Sequence, residues 1–279
     1  MSAGVAGPLL RWYAGHGRSL PWRATRDPYP VLVAEVMLQQ TQAARVIPYF
    51  ERFLARFPDE RALVAAPTAD VLGAWSGLGY NRRALALQRA ARMVTAEGWP
   101  RDEAGLRRLP GVGSYTAAAV ASFAFGAQVP AVDTNARRVI ERVDRCRRGP
   151  GELRRRAAAL LPPGRAARFN HAIMDLGATV CTARAPRCEA CPLAGACRSR
   201  GRIAAPPSPG RAPRVRFEET DRYVRGRVLA ALVRGAPPRP PGVGQARFRR
   251  ALDGLERDGL IVREGAQVGL PGARTVPLR

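Results

Sequence analysis

Four cysteines place the tightest constraint on this chain. Cys181, Cys188, Cys191 and Cys197 follow one another in the spacing C-x6-C-x2-C-x5-C. Thiols crowded in this way fold a loop around a soft metal centre. A tetrahedral zinc ion and a [4Fe–4S] cluster both accept four thiolates, so the spacing alone leaves the two open. The fifth cysteine, Cys146, stands apart and is expected to be a small core residue with no chemical role.

The rest of the chain is strongly basic. It has 279 residues, a formal net charge of +24 and 46 Lys+Arg residues. No lysine occurs anywhere, so every one of those cations is arginine. Such a balance points to a polyanionic partner, nucleic acid first and an anionic membrane second. A bias toward Ala, Arg, Gly and Pro is the competing source of the charge. Arginine grips phosphate with a planar fork but does not deprotonate, so it makes no Schiff base. The first residues, MSAGVAGPLLRWYAGHGR, do not read as a signal peptide, and no stretch reaches the roughly 20 apolar residues of a membrane span. The expectation is a cytoplasmic, nucleoid-associated monomer with no membrane partner.

Residues 29–200 are rich in Ala, Leu and Arg at helical spacing, with little strand-like alternation. Helices are predicted over Pro30–Thr41, Ala43–Phe57, Thr68–Trp75, Arg82–Glu97, Ser114–Phe125, Asn135–Asp144, Gly151–Leu161 and Ala167–Thr179. Pro48 implies a kink or two short helices. The fold class is therefore all-α. The proline-rich stretch at 202–216 reads as a linker. Residues 217–279 read as helix, helix and a hairpin around Glu264-Gly265, the order of a small winged-helix-like module; a helical tail docked on the main body is the alternative.

Three further motifs bear chemistry. Pro110-Gly111-Val112-Gly113 is a tight turn into a helix, with two glycines free to take φ > 0 and a helix N-terminus suited to phosphate. Glu35 is the single acid in VLVAEVMLQQTQ, sharing one helix face with Gln39 and Gln42. It is either part of a solvated polar face or, in a cleft, a carboxyl whose desolvation keeps it protonated for general-acid work. Asp133, in PAVDTNARRV, reads as a helix N-cap.

The cysteine spacing after FNHAIMDLGATVC closely resembles the iron–sulfur loop of the endonuclease III and MutY glycosylases. LPGVGSYTAAAV resembles their helix-hairpin-helix, and EVMLQQTQ is close to the MutY adenine glycosylases. The resemblance covers roughly residues 8–200. It implies a two-lobed helix-hairpin-helix DNA glycosylase, 1–201, with a six-helix lobe at about 25–130 and a cluster lobe from 1–24 and 131–201. It implies a [4Fe–4S] cluster on the four cysteines and a monovalent cation at the hairpin.

The partner it implies is double-stranded DNA with adenine opposite 8-oxoguanine or guanine. Glu35 would be the catalytic acid, and Asp133 would face the positive sugar with Asn135 orienting it. Tyr115 stands where the bifunctional branch has its lysine, which implies a monofunctional enzyme. Gln40 and Tyr80 match duplex wedges, and Thr41 and Leu78 match positions near the opposing guanine. Gly111, Gly113, Arg184 and Arg187 would meet phosphates, and Arg82 and Arg83 are phosphate contacts or solvated charges. Arg23 and His171 match the adenine pocket. Two departures stand out: Asp133-Thr134-Asn135 replaces Asp-Gly-Asn, and His171 replaces Gln or Glu. The tail is too short for the Nudix-like domain of many members. Two other readings stay open, a pyrimidine-lesion or G·T mismatch glycosylase on the same fold and a non-enzymatic metal-stabilised DNA-binding regulator.

Overall fold

The computed structural model describes residues 3–203 and 216–278. The stretch 204–215, most of the expected linker, lies outside the described residues. The helices run α1 (Ala3–His16), α2 (Pro28–Leu38), α3 (Ala43–Arg56), α4 (Glu60–Ala65), α5 (Thr68–Trp75), α6 (Arg82–Glu97), α7 (Glu103–Leu106), α8 (Ser114–Phe123), α9 (Thr134–Asp144), α10 (Pro150–Leu160), α11 (Ala166–Thr179), α12 (Asp221–Val233) and α13 (Gln245–Arg257). Three short strands follow, β1 (Val262–Glu264), β2 (Gln267–Gly269) and β3 (Val276–Pro277), paired antiparallel in that order. No helix among the described residues is long and apolar enough to cross a membrane.

Among the described residues one compact unit takes in 3–32, 100–108 and 112–203, and the other takes in 33–99, 109–111 and 216–278. In the first unit Val5 and Leu9 of α1 pack with Val139 and Ile140 of α9 and Phe169, Ile173 and Leu176 of α11. Leu193 joins that core from the cysteine loop, and Cys181 and Cys191 pack against it half-buried. Helix α11 lies unusually close to α9 because Gly177 has no side chain. A Cβ there would sit 2.7 Å from Asn135 Cβ and 2.8 Å from its carbonyl oxygen. Helix α8, grouped by sequence with 25–130, falls in this unit, packed on α7 and α11.

In the second unit Phe53 and Trp75 meet edge to face between α3 and α5, and both are fully buried. Short α4 starts where Asp59 accepts a hydrogen bond from the Ala62 N–H at 2.7 Å, a side-chain cap. In the same way Asp102 starts α7 of the first unit. Pro48 neither breaks nor divides α3. It sits near the helix start and forfeits a single bond to the carbonyl of the exposed Ala44, which water can satisfy. Helices α12 and α13 enclose a core of Val224, Val228, Phe248, Leu252 and Leu255, closed by Ile261 and Val268. The hairpin register pairs Glu264 with Gln267, so the turn falls on Gly265-Ala266. The third strand, with Val276 opposite Val268, was not foreseen. Helix α12 also packs on α5, with Val233 3.6 Å from the point a Cβ on Gly73 would occupy.

Candidate active site and nucleic-acid interface

Glu35 is 4% exposed on α2, and its neighbours Val33, Ala34, Val36 and Met37 are as deeply buried. It is not part of a solvated polar face. Gln39 and Gln42 do not share its helix face as expected, because α2 ends at Leu38 and Gln42 is the N-cap of α3. The helix stops where Gln40 takes a left-handed backbone, φ +57°. Its last carbonyls are held by Arg83, whose Nη1 donates to Val36 O (2.8 Å), Met37 O (3.1 Å) and Gln39 O (2.5 Å). Nη2 of the same side chain donates to Gly79 O at 3.0 Å. Burial pushes the Arg83 guanidinium down to about 10, and its charge still serves the orphan oxygens of a helix end. Arg83 is therefore a structural clamp, neither a free phosphate contact nor a solvated charge. Its ring neighbour Tyr80 also has a left-handed backbone, φ +50°.

Gln40, Leu78 and Tyr80 line one cavity of about 1190 Å³ in the second unit. Thr41 is outside its lining and is tied instead to Gln39 O and, at 3.5 Å, to Arg83. At the hairpin, Gly111 has φ +78°, and a Cβ on it would meet Ala86 Cβ at 2.7 Å. Gly113 differs from expectation. Its φ is −84°, ordinary extended backbone, and it serves as the N-cap of α8 with no side-chain cap.

The first unit holds the remaining groups. Asp133 is the N-cap of α9, accepting from Ala136 N at 2.6 Å, and Asn135 Nδ2 donates to its other oxygen at 2.8 Å. Arg138 donates in turn to Asn135 Oδ1 at 2.7 Å, so the amide is fixed from both ends. Tyr115 is half-buried in the first turn of α8, its hydroxyl 4.0 Å from Met174 sulfur.

Arg23 and His171 line a second cavity, of about 470 Å³, with Tyr13, Arg18, Trp22 and Phe123. His171 stacks on Phe123 with ring centres 4.0 Å apart. Burial, aided by the nearby Arg23 charge, pushes the imidazole down to about 3, so it is neutral. Beneath it lies Asp175, fully buried, which takes both arms of Arg23 (2.7 and 2.8 Å) and Nε of Arg18 (2.6 Å). Burial pushes the Asp175 carboxyl up, but the bonds and charges of Arg23 and Arg18 together outweigh it and hold it below the usual range. Sequence reasoning missed Asp175, although its spacing of four residues from His171 put both on one face of α11.

The four cysteines 181, 188, 191 and 197 line one cavity together with Pro186, Arg187 and Arg200. They form no disulfide. Among the described residues no group of three or more His, Cys, Asp or Glu is drawn together as a single metal ion requires. The four thiols that line this cavity are the soft donor set that a [4Fe–4S] cluster takes. Arg142 and Arg138 of α9 brace the loop: Arg142 donates to Thr182 O (2.7 Å) and reaches Cys181 Sγ (3.3 Å), and Arg138 donates to Cys181 O (2.8 Å). Both cations were missed in the sequence, where they read as surface charge. Arg187 folds back to donate to Thr179 O at 2.7 Å, while Arg184 is exposed. Cys146 is exposed and not a core residue, because it follows the left-handed Arg145 that ends α9 and so leaves the core face.

Comparison with known proteins bears directly on this arrangement. The adenine DNA glycosylase of Mycolicibacterium smegmatis is 45% identical over 269 residues, covering 91% of each chain. The chain belongs to the adenine DNA glycosylase family. The Mycobacterium tuberculosis adenine DNA glycosylase is 44% identical, over 95% of this chain and 92% of that protein, and the human one is 42% identical over 71% of this chain and 39% of its own length. The profile of the HhH-GPD superfamily of base excision DNA repair proteins matches residues 33–163. That of the iron–sulfur binding domain of endonuclease III matches 181–197, which decides between zinc and iron for the four cysteines.

Among solved structures, a thermostable thymine-DNA glycosylase superimposes with a TM-score of 0.66 at 32% identity, covering 71% of this chain and 95% of that one. A trapped endonuclease III–DNA covalent intermediate does so at 0.60 and 28% identity, covering 68% and 91%. This member of the adenine DNA glycosylase family is therefore a base excision repair enzyme with the helix-hairpin-helix fold and an iron–sulfur loop.

Proposed function

We propose that the protein hydrolyses the N-glycosidic bond of adenine mispaired with 8-oxoguanine or guanine in duplex DNA, leaving an abasic site and an uncut strand. The observation that carries this reading is Glu35, the single acid of α2, 4% exposed among apolar neighbours. In this reading the Glu35 carboxyl is the general acid that hands a proton to the departing purine. The adenine leaves the stack before it reacts. Protonated by Glu35, it departs as a neutral base and the sugar is left with oxocarbenium character; a water oxygen then bonds to the anomeric carbon and loses its proton to solvent, which completes the abasic site. Asp133, fixed by the Ala136 N–H and Asn135, is the anion assigned to that positive charge. Tyr115 assists at the sugar. With no lysine in the chain, no side-chain amine is present for the Schiff base through which a strand is cut.

The cavity at Arg23 and His171 is the proposed base pocket. A neutral imidazole offers one donor and one acceptor, the pairing a purine edge requires, while Arg23 is already committed to Asp175. The wedge residues Gln40 and Tyr80, with Leu78 and Thr41, are assigned to the duplex at the vacated stack. Gly111, Gly113, Arg184 and Arg187 are assigned to its phosphates. Cys181, Cys188, Cys191 and Cys197 hold a [4Fe–4S] cluster, which cross-links the loop beside α9. The protein acts as a monomer.

The test is single-turnover adenine release from an A·8-oxoguanine duplex by Glu35→Gln. We expect a loss of at least roughly 10²-fold, the scale of one general acid, with duplex affinity little changed. Release at the wild-type rate would remove Glu35 from the reaction.

A further inference from the structure

Tyr80 presents an unusual combination. It is a large aromatic residue, 41% exposed, on a left-handed backbone that non-glycine residues rarely adopt. It does not stand alone in solvent. Arg222 of α12 lays its guanidinium over the ring, 4.2 Å from the centre, and its Nη1 donates to Tyr80 Oη at 3.1 Å. Arg83 faces the ring as well, at 5.3 Å. The ring is thus held by two cations, one from its own turn and one from the C-terminal segment.

Arg222 is itself exposed, but its helix is firmly placed. Val233 packs at Gly73 of α5, and Asp258 after α13 ties Arg225 of α12 to Arg82 of α6. The cavity that Gln40, Leu78 and Tyr80 line on one side is lined on the other by Phe217, Arg222 and Tyr223.

We infer that Arg222 is a positioning residue: α12, through Arg222, fixes the Tyr80 ring of the same unit in the conformation that enters the duplex, and so takes part in selecting the mispair. The inference rests on the reading of Tyr80 as a duplex wedge. An exposed aromatic side chain on a strained turn samples several rotamers in solution, and each ordering event on binding costs affinity. A cation–π contact combined with a hydrogen bond to the hydroxyl selects one rotamer beforehand. The gain appears only where the ring is used, at the mispair, and not in general attraction to phosphate.

The experiment compares Arg222→Ala with Arg249→Ala, which removes the same charge from an exposed position of α13. Affinities are measured for an A·8-oxoguanine duplex carrying a non-cleavable adenosine analogue and for an undamaged duplex, alongside single-turnover release rates at saturating enzyme. Arg222→Ala should lose roughly tenfold of the preference for the mispaired duplex, the scale of one cation–π contact plus one hydrogen bond. Its release rate at saturation should stay within about twofold, since the reacting groups are untouched. Arg222→Lys should restore part of the preference. In a Tyr80→Ala background the Arg222→Ala change should have no further effect. Equal behaviour of Arg222→Ala and Arg249→Ala overturns the inference, as does a full Arg222→Ala effect without Tyr80. Failure of the wild type to release adenine would instead overturn the proposed reaction, and the binding comparison would still decide Arg222.

Discussion

At His171 a half-buried imidazole stacks on Phe123 and is pushed down to about 3 by burial and by Arg23. The unfolded chain takes up a proton there below about pH 6.5, and the folded chain does so only near pH 3. Stability from this group is therefore complete above pH 6.5 and is lost as pH falls toward 3, at up to about 1.4 kcal/mol per pH unit. His171→Gln should flatten the decline in melting temperature between pH 6.5 and 4.5; an unchanged slope would mean that the imidazole does not set it. Asp175 adds its own loss only at lower pH, because its carboxyl is held below the ordinary range.

The same residues show what was legible in sequence. Glu35 stood out because no other charge lies near it on α2. Asp133 was read as an N-cap, and it is one. Asp175, Arg83 and Arg138 were not legible, since a charged side chain buried by remote partners looks in sequence like any surface charge. Cys146 misled for the opposite reason: cysteine is usually buried, and here a left-handed residue turns the chain outward before it.

Among the elements, α5 and α6 match their predicted bounds because punctuation and apolar period agree at both ends. Helix α1 was missed because Pro8 and its glycines break the period, although Leu9 on it is fully buried. Helices α4 and α7 are too short to show a period at all, and their aspartate caps were the only signal. The close crossing of α9 and α11 was legible only as a glycine in FNHAIMDLGATVC. Gly177→Ala should force the helices apart, lowering stability by about 1–3 kcal/mol in urea unfolding and slowing adenine release, because Asn135 and Asp133 sit on the displaced turn. Wild-type stability in that variant would show that the crossing adapts without cost.

For the whole molecule, the cysteine pattern was the most specific mark of the family and the least informative about the reaction. Its loop joins the core through Leu193 and is braced by Arg138 and Arg142, so losing the cluster should loosen the loop against α9. Cys191→Ala should lower bound iron and visible absorbance sharply, while Cys146→Ala, at an exposed site, should leave both intact. Equal iron in the two variants would contradict the ligand assignment.

A lysine-free glycosylase acting on adenine is defined by its products. It is tested most directly by product analysis of the wild-type protein on duplexes bearing A·8-oxoguanine, A·G, G·T and thymine glycol, with borohydride present and absent. We expect free adenine from the first two duplexes, an uncut strand until alkali is added and no trapped lysine adduct. Release of thymine or an oxidised pyrimidine in place of adenine would contradict that expectation.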